Sequence, residues 1–159
     1  ATTQVNEATA TGKSVLQLWQ TITTYPLPFG AKYLEYKYKW STELALGAVN
    51  EYRRFAFMAL TSADEITPSY FVDEVWHVHI LHTKDYARFA RSCGGFLHHN
   101  PGMPSEEGER FRAQYALTLE VYRNTFGEEP PLEIWPPLKK PEPTIAQVLE
   151  LFQQRGLAA

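Results

Sequence analysis

The chain has 159 residues, a net charge of −3 at pH 7 and a hydrophobic fraction of 44%. That length and composition fit one globular domain with room for a real core and exclude a disordered chain. The acidic balance argues against nucleic acid or an anionic membrane as a partner, and no apolar run approaches the ~20 residues of a membrane span. Residues 1–13 are predicted to be a flexible tail, and residues 14–159 a single helical domain.

Helical signals follow one another along the first part of the chain. Ser14 can cap an amphipathic helix, which must end before Pro26 because the residue preceding a proline avoids the α region. Residues 34–40 alternate apolar and polar side chains like a strand. No second strand is visible to pair with them, so a helix or an extended connector is favoured. A long helix then runs from Thr42 to about Leu60.

The central helix holds three of the five histidines, His77, His79 and His82. Thr67 is predicted to cap it, with Pro68 at the first helical position, and the helix then runs to about residue 92. The glycines at 94 and 95 end it.

The C-terminal part of the chain predicts two more helices separated by a proline-rich segment. One helix opens near residue 105 and ends at Gly127, and a short last helix follows Thr144. Between them, residues 130–143 are predicted to form an arm across the surface, anchored by Trp135 and Leu138. The sequence therefore predicts an all-α domain of about five helices with a proline-rich C-terminal arm.

Helix geometry limits which histidines can share a site. His79 and His82 are three residues apart on one face, whereas His77 and His82 point in different directions unless a π-bulge intervenes. From His82 to residue 92 a helix rises ~15 Å, and five extended residues after the glycines span ~17 Å at most. His98 or His99 can therefore return to the level of His82, with His79 as a possible third nitrogen. Reaching His77 or Asp73 is harder unless the helix ends early.

Several short motifs carry a family resemblance. They are Val72-Asp73-Glu74-Val75-Trp76-His77, then Ile80-Leu81-His82-Thr83 with Tyr86 and Phe89, then Gly95-Phe96-Leu97-His98-His99 with Pro101, preceded by Tyr36-Lys37-Tyr38 and Glu51-Tyr52-Arg53-Arg54-Phe55. Over roughly residues 30–104 the chain resembles the bacterial glycine-rich-domain-containing-protein-like family. The resemblance implies histidine at positions 77, 82, 98 and 99 and often an aromatic residue at 79, which makes His79 the weakest candidate. It implies no settled activity.

Geometry and resemblance together predict a metal-binding domain, and a metal-dependent enzyme of unknown substrate is one form that such a domain can take. The predicted ligands form two clusters, Asp73 with His77 and His82 with His98 and His99. Imidazoles with a carboxylate would suit zinc, iron or copper and leave an open position for water. The alternative is a non-enzymatic binding or scaffold module. In that case the histidines form a hydrogen-bonded core that ties the central helix to its loop, and the proline-rich arm contacts a partner.

Cys93 is the only cysteine, so no intrachain disulfide can form. The start of the chain lacks the pattern of a secretory signal, and a reduced, cytoplasmic setting is expected. Nucleophilic catalysis by Cys93 is a further possibility, although no histidine is placed in the sequence to mark it.

Overall fold

A computed structural model describes residues 12–99, 108–138 and 143–154. The all-α prediction is confirmed. Residues 1–11 of the predicted tail and residues 139–142 of the predicted arm lie outside the described ranges. Within these ranges the chain forms seven helices, α1 (Val15–Thr24), α2 (Ala31–Tyr38), α3 (Thr42–Thr61), α4 (Tyr70–Leu81), α5 (Thr83–Cys93), α6 (Gly108–Phe126) and α7 (Ile145–Gln154).

Side-chain caps define the starts of the first and third helices. The Ser14 hydroxyl accepts a hydrogen bond from the Gln17 backbone N–H at 3.1 Å, and the Gln17 side chain accepts one from the Ser14 N–H at 3.0 Å. This reciprocal pair satisfies two donors that a helix start would leave unpaired. Ser41 caps α3 without the reciprocal bond, because its hydroxyl accepts from the Leu44 N–H at 3.1 Å.

The segment with strand-like alternation is a helix. Leu34 is fully buried, and α2 packs against α3 through this side. Helix α2 ends at Lys39, whose φ of 58° places it in the left-handed region. The alternation of apolar and polar residues does not form a strand, because no partner strand is present among the described residues to pair with it. A helix instead buries Leu34 against α3.

The predicted central helix is two helices. It begins later than predicted, because Ser69 rather than Thr67 is the N-cap, accepting from the Val72 N–H at 3.2 Å. It breaks at His82, where φ is −83° and ψ is 68°. This break and helix α2 account for seven helices where about five are predicted.

Helix α3 lies at the centre of the fold, packed against α1, α2, α4 and α6. Alanines on its buried side let neighbouring backbones approach closely, and large rings fill the remaining space. Within the described ranges, no helix is both long and apolar enough to cross a membrane. The buried side of α3 comprises Ala45, Ala48, Glu51, Tyr52, Phe55, Ala56, Phe57 and Met58.

Glu51 on α3 anchors the segment that follows α6. Its side chain is buried, and its carboxylate accepts hydrogen bonds from the Trp135 indole N–H at 3.0 Å and the Tyr122 hydroxyl at 3.2 Å. Residues 131–135, near the start of the predicted arm, form a tight turn in which the Trp135 N–H donates to the Pro131 carbonyl at 2.7 Å. Trp135 therefore anchors this segment from within the core, where it is 1% exposed.

A glycine allows this turn to reach α3. A Cβ atom placed at Gly47 would lie 3.2 Å from the Ile134 Cδ1 atom, closer than ordinary van der Waals contact. Gly47 therefore provides the space into which Ile134 packs beside the Glu51 hydrogen bonds.

We expect Glu51→Ala to lower the free energy of unfolding by about 2–4 kcal/mol, because it leaves two buried donors unpaired. Glu51→Gln keeps one acceptor oxygen and should lose about half as much. Urea unfolding followed by tryptophan fluorescence measures both variants. The exposed Glu150→Ala is the control, and equal midpoints for Glu51→Ala and this control would contradict the anchoring role.

Candidate functional site

His79 occupies the polar centre of the molecule. Its side chain is 0% exposed. The Nδ1 atom lies 2.7 Å from the Tyr52 hydroxyl, and the Nε2 atom lies 2.8 Å from the Asp85 Oδ1 atom. Sequence patterns rank His79 as the weakest candidate, yet it is the most deeply buried histidine of the described chain.

The chemistry of its partners assigns the His79 protons. The Asp85 carboxylate can only accept, so Nε2 carries the hydrogen and donates it to Oδ1. The unprotonated Nδ1 then accepts from the Tyr52 hydroxyl. Burial lowers the pKa of His79, while the Asp85 carboxylate opposes that shift. The ring is therefore neutral at pH 7.

The order Asp85–His79–Tyr52 resembles a catalytic triad, with a carboxylate, an imidazole and a hydroxyl in sequence. The hydroxyl of a catalytic triad must be accessible to substrate. Tyr52 is only 1% exposed, so no substrate can reach its hydroxyl. Burial also raises the pKa of Tyr52 well above its ordinary value, which keeps the proton on the oxygen. Aromatic rings enclose the imidazole further, namely Tyr25, Phe29, Tyr86 and Phe89.

A second set of hydrogen bonds ties the loop after α5 back to α4. The Trp76 indole N–H donates to the Tyr86 hydroxyl at 2.9 Å, and that hydroxyl donates to the Leu97 carbonyl. Gly94, with a φ of 74°, reverses the chain so that Leu97 can reach this position. The loop is thus attached through buried side chains of both α4 and α5.

The break at His82 changes which predicted site residues meet. His99 Nε2 lies 2.7 Å from Asp73 Oδ1, and the His99 and His77 rings are 5.8 Å apart between centroids. The loop can bring His99 back to Asp73 because α4 ends early, at Leu81, and α5 starts as a separate helix. His99 therefore joins Asp73 and His77, and not His82 as predicted.

The other two predicted ligands lie apart from this group. The His82 Nδ1–H donates to the Val78 carbonyl at 2.9 Å, which satisfies a carbonyl at the end of α4. The His82 ring lies 5.7 Å from the Phe29 ring. His98 is exposed and rests against Phe96, with ring centroids 4.7 Å apart. The predicted cluster of His82, His98 and His99 does not form.

The prediction of a metal-binding function is wrong. In the described ranges, no three side chains among His, Cys, Asp and Glu are arranged to hold a metal ion. Instead, protein groups engage both ring nitrogens of His79 and one each of His82 and His99. These histidines serve as hydrogen-bonding groups, which fits the structural alternative.

Cys93 is not placed to act as a nucleophile. It is buried, and burial raises the pKa of its thiol to about 11, although the charge of Lys13 opposes the shift. A thiol that stays protonated and enclosed is unreactive.

Two surface clefts lie away from the histidines. The larger has a volume of about 490 Å³ and lies between α6 and α7, lined by Glu109, Gln147 and Leu151 among others. The smaller has a volume of about 160 Å³ and is lined by residues that include Glu65 and Phe152. Neither cleft is lined by a histidine.

Comparison with known proteins adds a family. The family model described as UCP032817-like matches residues 18–118, which include most of α1, all of α2 to α5 and the first half of α6. The matching family is thus not the glycine-rich-domain-containing-protein-like family that the sequence resembles. No curated protein and no solved structure matches the chain.

We expect stability to fall as the pH drops below the ordinary histidine pKa of 6.5, because the unfolded chain then binds a proton that buried His79 does not. The free energy of unfolding should decrease by at most about 1.4 kcal/mol per pH unit from this group. Urea unfolding between pH 7 and pH 5 measures the slope. It should be shallower in His79→Asn than in the wild-type protein. An unchanged slope in His79→Asn would contradict the neutral buried imidazole.

Native Cys93 should react with a disulfide reagent about a hundredfold more slowly than the same thiol in the urea-unfolded chain, because the thiolate is depleted and burial slows the reaction further. Absorbance of the released thiol measures both rates. Equal rates in the two states would show that Cys93 is accessible after all.

Proposed function

Because the chain belongs to the UCP032817-like family, whose description names no reaction, we propose a function from the geometry of its polar core. The protein is a non-enzymatic binding or scaffold module in which the histidines, with His79 at the buried centre, form a structural hydrogen-bonded core. A cytoplasmic location stays a prediction that rests on the single cysteine.

The hydrogen bonds of His79 are the observation that carries this proposal. Both of its ring nitrogens have protein partners, at 2.7 Å and 2.8 Å, so neither is left for a metal or a substrate. Tyr52, His79 and Asp85 lie on α3, α4 and α5, so one side chain joins three helices. An imidazole in this arrangement stabilises a particular packing of helices, since any other packing would leave its nitrogens unpaired.

The loop contacts support the same role. His99 bonds Asp73 on α4, and Tyr86 on α5 bonds the Leu97 carbonyl. Both bonds attach the loop of residues 94–99 to the helices before it. A rigid loop and a rigid helical body are what a scaffold offers a partner, because little conformational entropy remains to be lost on binding.

The groups best suited to nucleophilic chemistry also favour a structural role. The Tyr52 hydroxyl and the Cys93 thiol are both buried, and both have raised pKa values, so each keeps its proton at pH 7. Their surroundings exclude water and substrate alike. They contribute packing and, for Tyr52, one hydrogen bond.

Variants of individual histidines test the proposal. His79→Ala should lower the free energy of unfolding by about 3 kcal/mol or more, because it leaves a cavity and two polar partners unpaired. The exposed His77→Ala and His98→Ala should each change it by less than about 0.5 kcal/mol. Urea unfolding in chelator-treated buffer measures all three.

The same titrations repeated with added zinc provide the opposing outcome. The proposal expects the wild-type unfolding midpoint to be the same with zinc and with chelator. A zinc-dependent rise in the midpoint that His77→Ala or His99→Ala removes would overturn it, since a ligand that binds the native state raises stability.

A further inference from the structure

Helix α2 presents an exposed face of tyrosines and lysines. Tyr36 is 76% exposed and Tyr33 is 45% exposed, although the helix has only eight residues. Lys32 and Lys37 are also exposed, on either side of Tyr36 around the helix. We call Lys32, Tyr33, Tyr36, Lys37 and Lys39 the α2 face.

The α2 face concentrates positive charge in an acidic protein. It contains three of the seven lysines in a chain whose net charge is −3. Among the described residues, none of these three lysines takes part in an ion pair. The nearest carboxylate in sequence, that of Glu35, accepts a hydrogen bond from Thr42 at 2.5 Å at the edge of the face.

Cation–π contacts hold two of the ammonium groups in place. The Lys39 Nζ atom lies 4.8 Å from the centre of the Tyr36 ring, and the Lys37 Nζ atom lies 5.9 Å from that of Tyr33. Rings and charges are therefore side by side and partly ordered before any partner arrives. Such contacts at exposed sites are weak enough to be shared with an incoming carboxylate.

Aromatic rings next to this face pack on one another and connect it to the rest of the protein. Tyr38 stacks on Trp40 with ring centroids 4.8 Å apart, and Trp40 meets Phe71 of α4 edge-on at 5.4 Å. Helix α2 thus packs on α3, and the Tyr38–Trp40 stack connects its C-terminal end to Phe71 of α4. A surface on a fixed helix loses little entropy on binding, and exposed tyrosines are side chains that often dominate protein interfaces.

We propose that the α2 face binds an acidic segment of a partner protein. Carboxylates of the segment would pair with Lys32, Lys37 and Lys39, and aliphatic or proline side chains between them would lie on the rings of Tyr33 and Tyr36. Charge complementarity selects this partner. A nucleic acid fits less well, because its continuous phosphate charge would meet the acidic remainder of the molecule. This inference rests on the proposed role as a binding module.

Selection from a phage-displayed library of random dodecapeptides on the immobilised wild-type protein tests this inference. The selected peptides should be rich in Asp and Glu interspersed with apolar residues. Fluorescence polarisation then gives the Kd of the best peptide. Lys37→Glu and Tyr36→Ala should each weaken binding about tenfold or more, and Tyr36→Phe, which keeps the ring, should retain it.

The matched control is Lys84→Glu, an equal charge reversal at an exposed position of α5. It should change the Kd by less than about twofold. The inference is overturned if no acidic peptide is selected, if Lys84→Glu weakens binding as much as Lys37→Glu, or if an oligothymidine binds the face more tightly than the peptide. These failures leave the histidine and zinc results untouched, so they are distinguishable from failure of the proposed function.

Discussion

One imidazole ring joins three helices of this protein. His79 on α4 binds Tyr52 on α3 and Asp85 on α5 through its two nitrogens. Because α4 and α5 meet at the break at His82, these two hydrogen bonds fix the direction in which α5 leaves α4. The direction of α5 sets where the loop beyond Gly94 begins, and therefore where Leu97 and His99 meet the helices.

Helix α3 has two consecutive buried residues with polar groups, Glu51 and Tyr52. Glu51 and Tyr52 project about 100° apart around the helix, so they face different parts of the molecule. Glu51 bonds Tyr122 of α6 and Trp135 of the segment that follows it, whereas Tyr52 bonds His79 of α4. Buried polar groups add little net stability when paired, but they discriminate against other packings, in which they would be unpaired. The two residues therefore help to specify how both halves of the fold pack on α3.

The sequence predicts the helix ends better than it predicts the site. Ser14 and Gly94 act at the positions that capping chemistry assigns to them, because caps depend on a few neighbouring atoms, although Ser69 replaces the predicted cap Thr67. The break at His82 has no proline or glycine to announce it and is recognisable only with its tertiary contacts in view. A helical wheel drawn through it misplaces every later residue, which is why the predicted clusters differ from those observed. The burial of His79 was missed for a related reason, since a family pattern shows which residues recur and not which are enclosed.

The hydrogen bonds of Glu51 extend beyond the part of the chain that defines the family. The family match ends at residue 118, whereas the two donors to this carboxylate are Tyr122 and Trp135. A fragment cut at the end of the match would remove both donors and expose the side of α3 that they cover. The cooperative folding unit is therefore longer than the region of shared sequence, and excision boundaries drawn from the match alone would cut through the core.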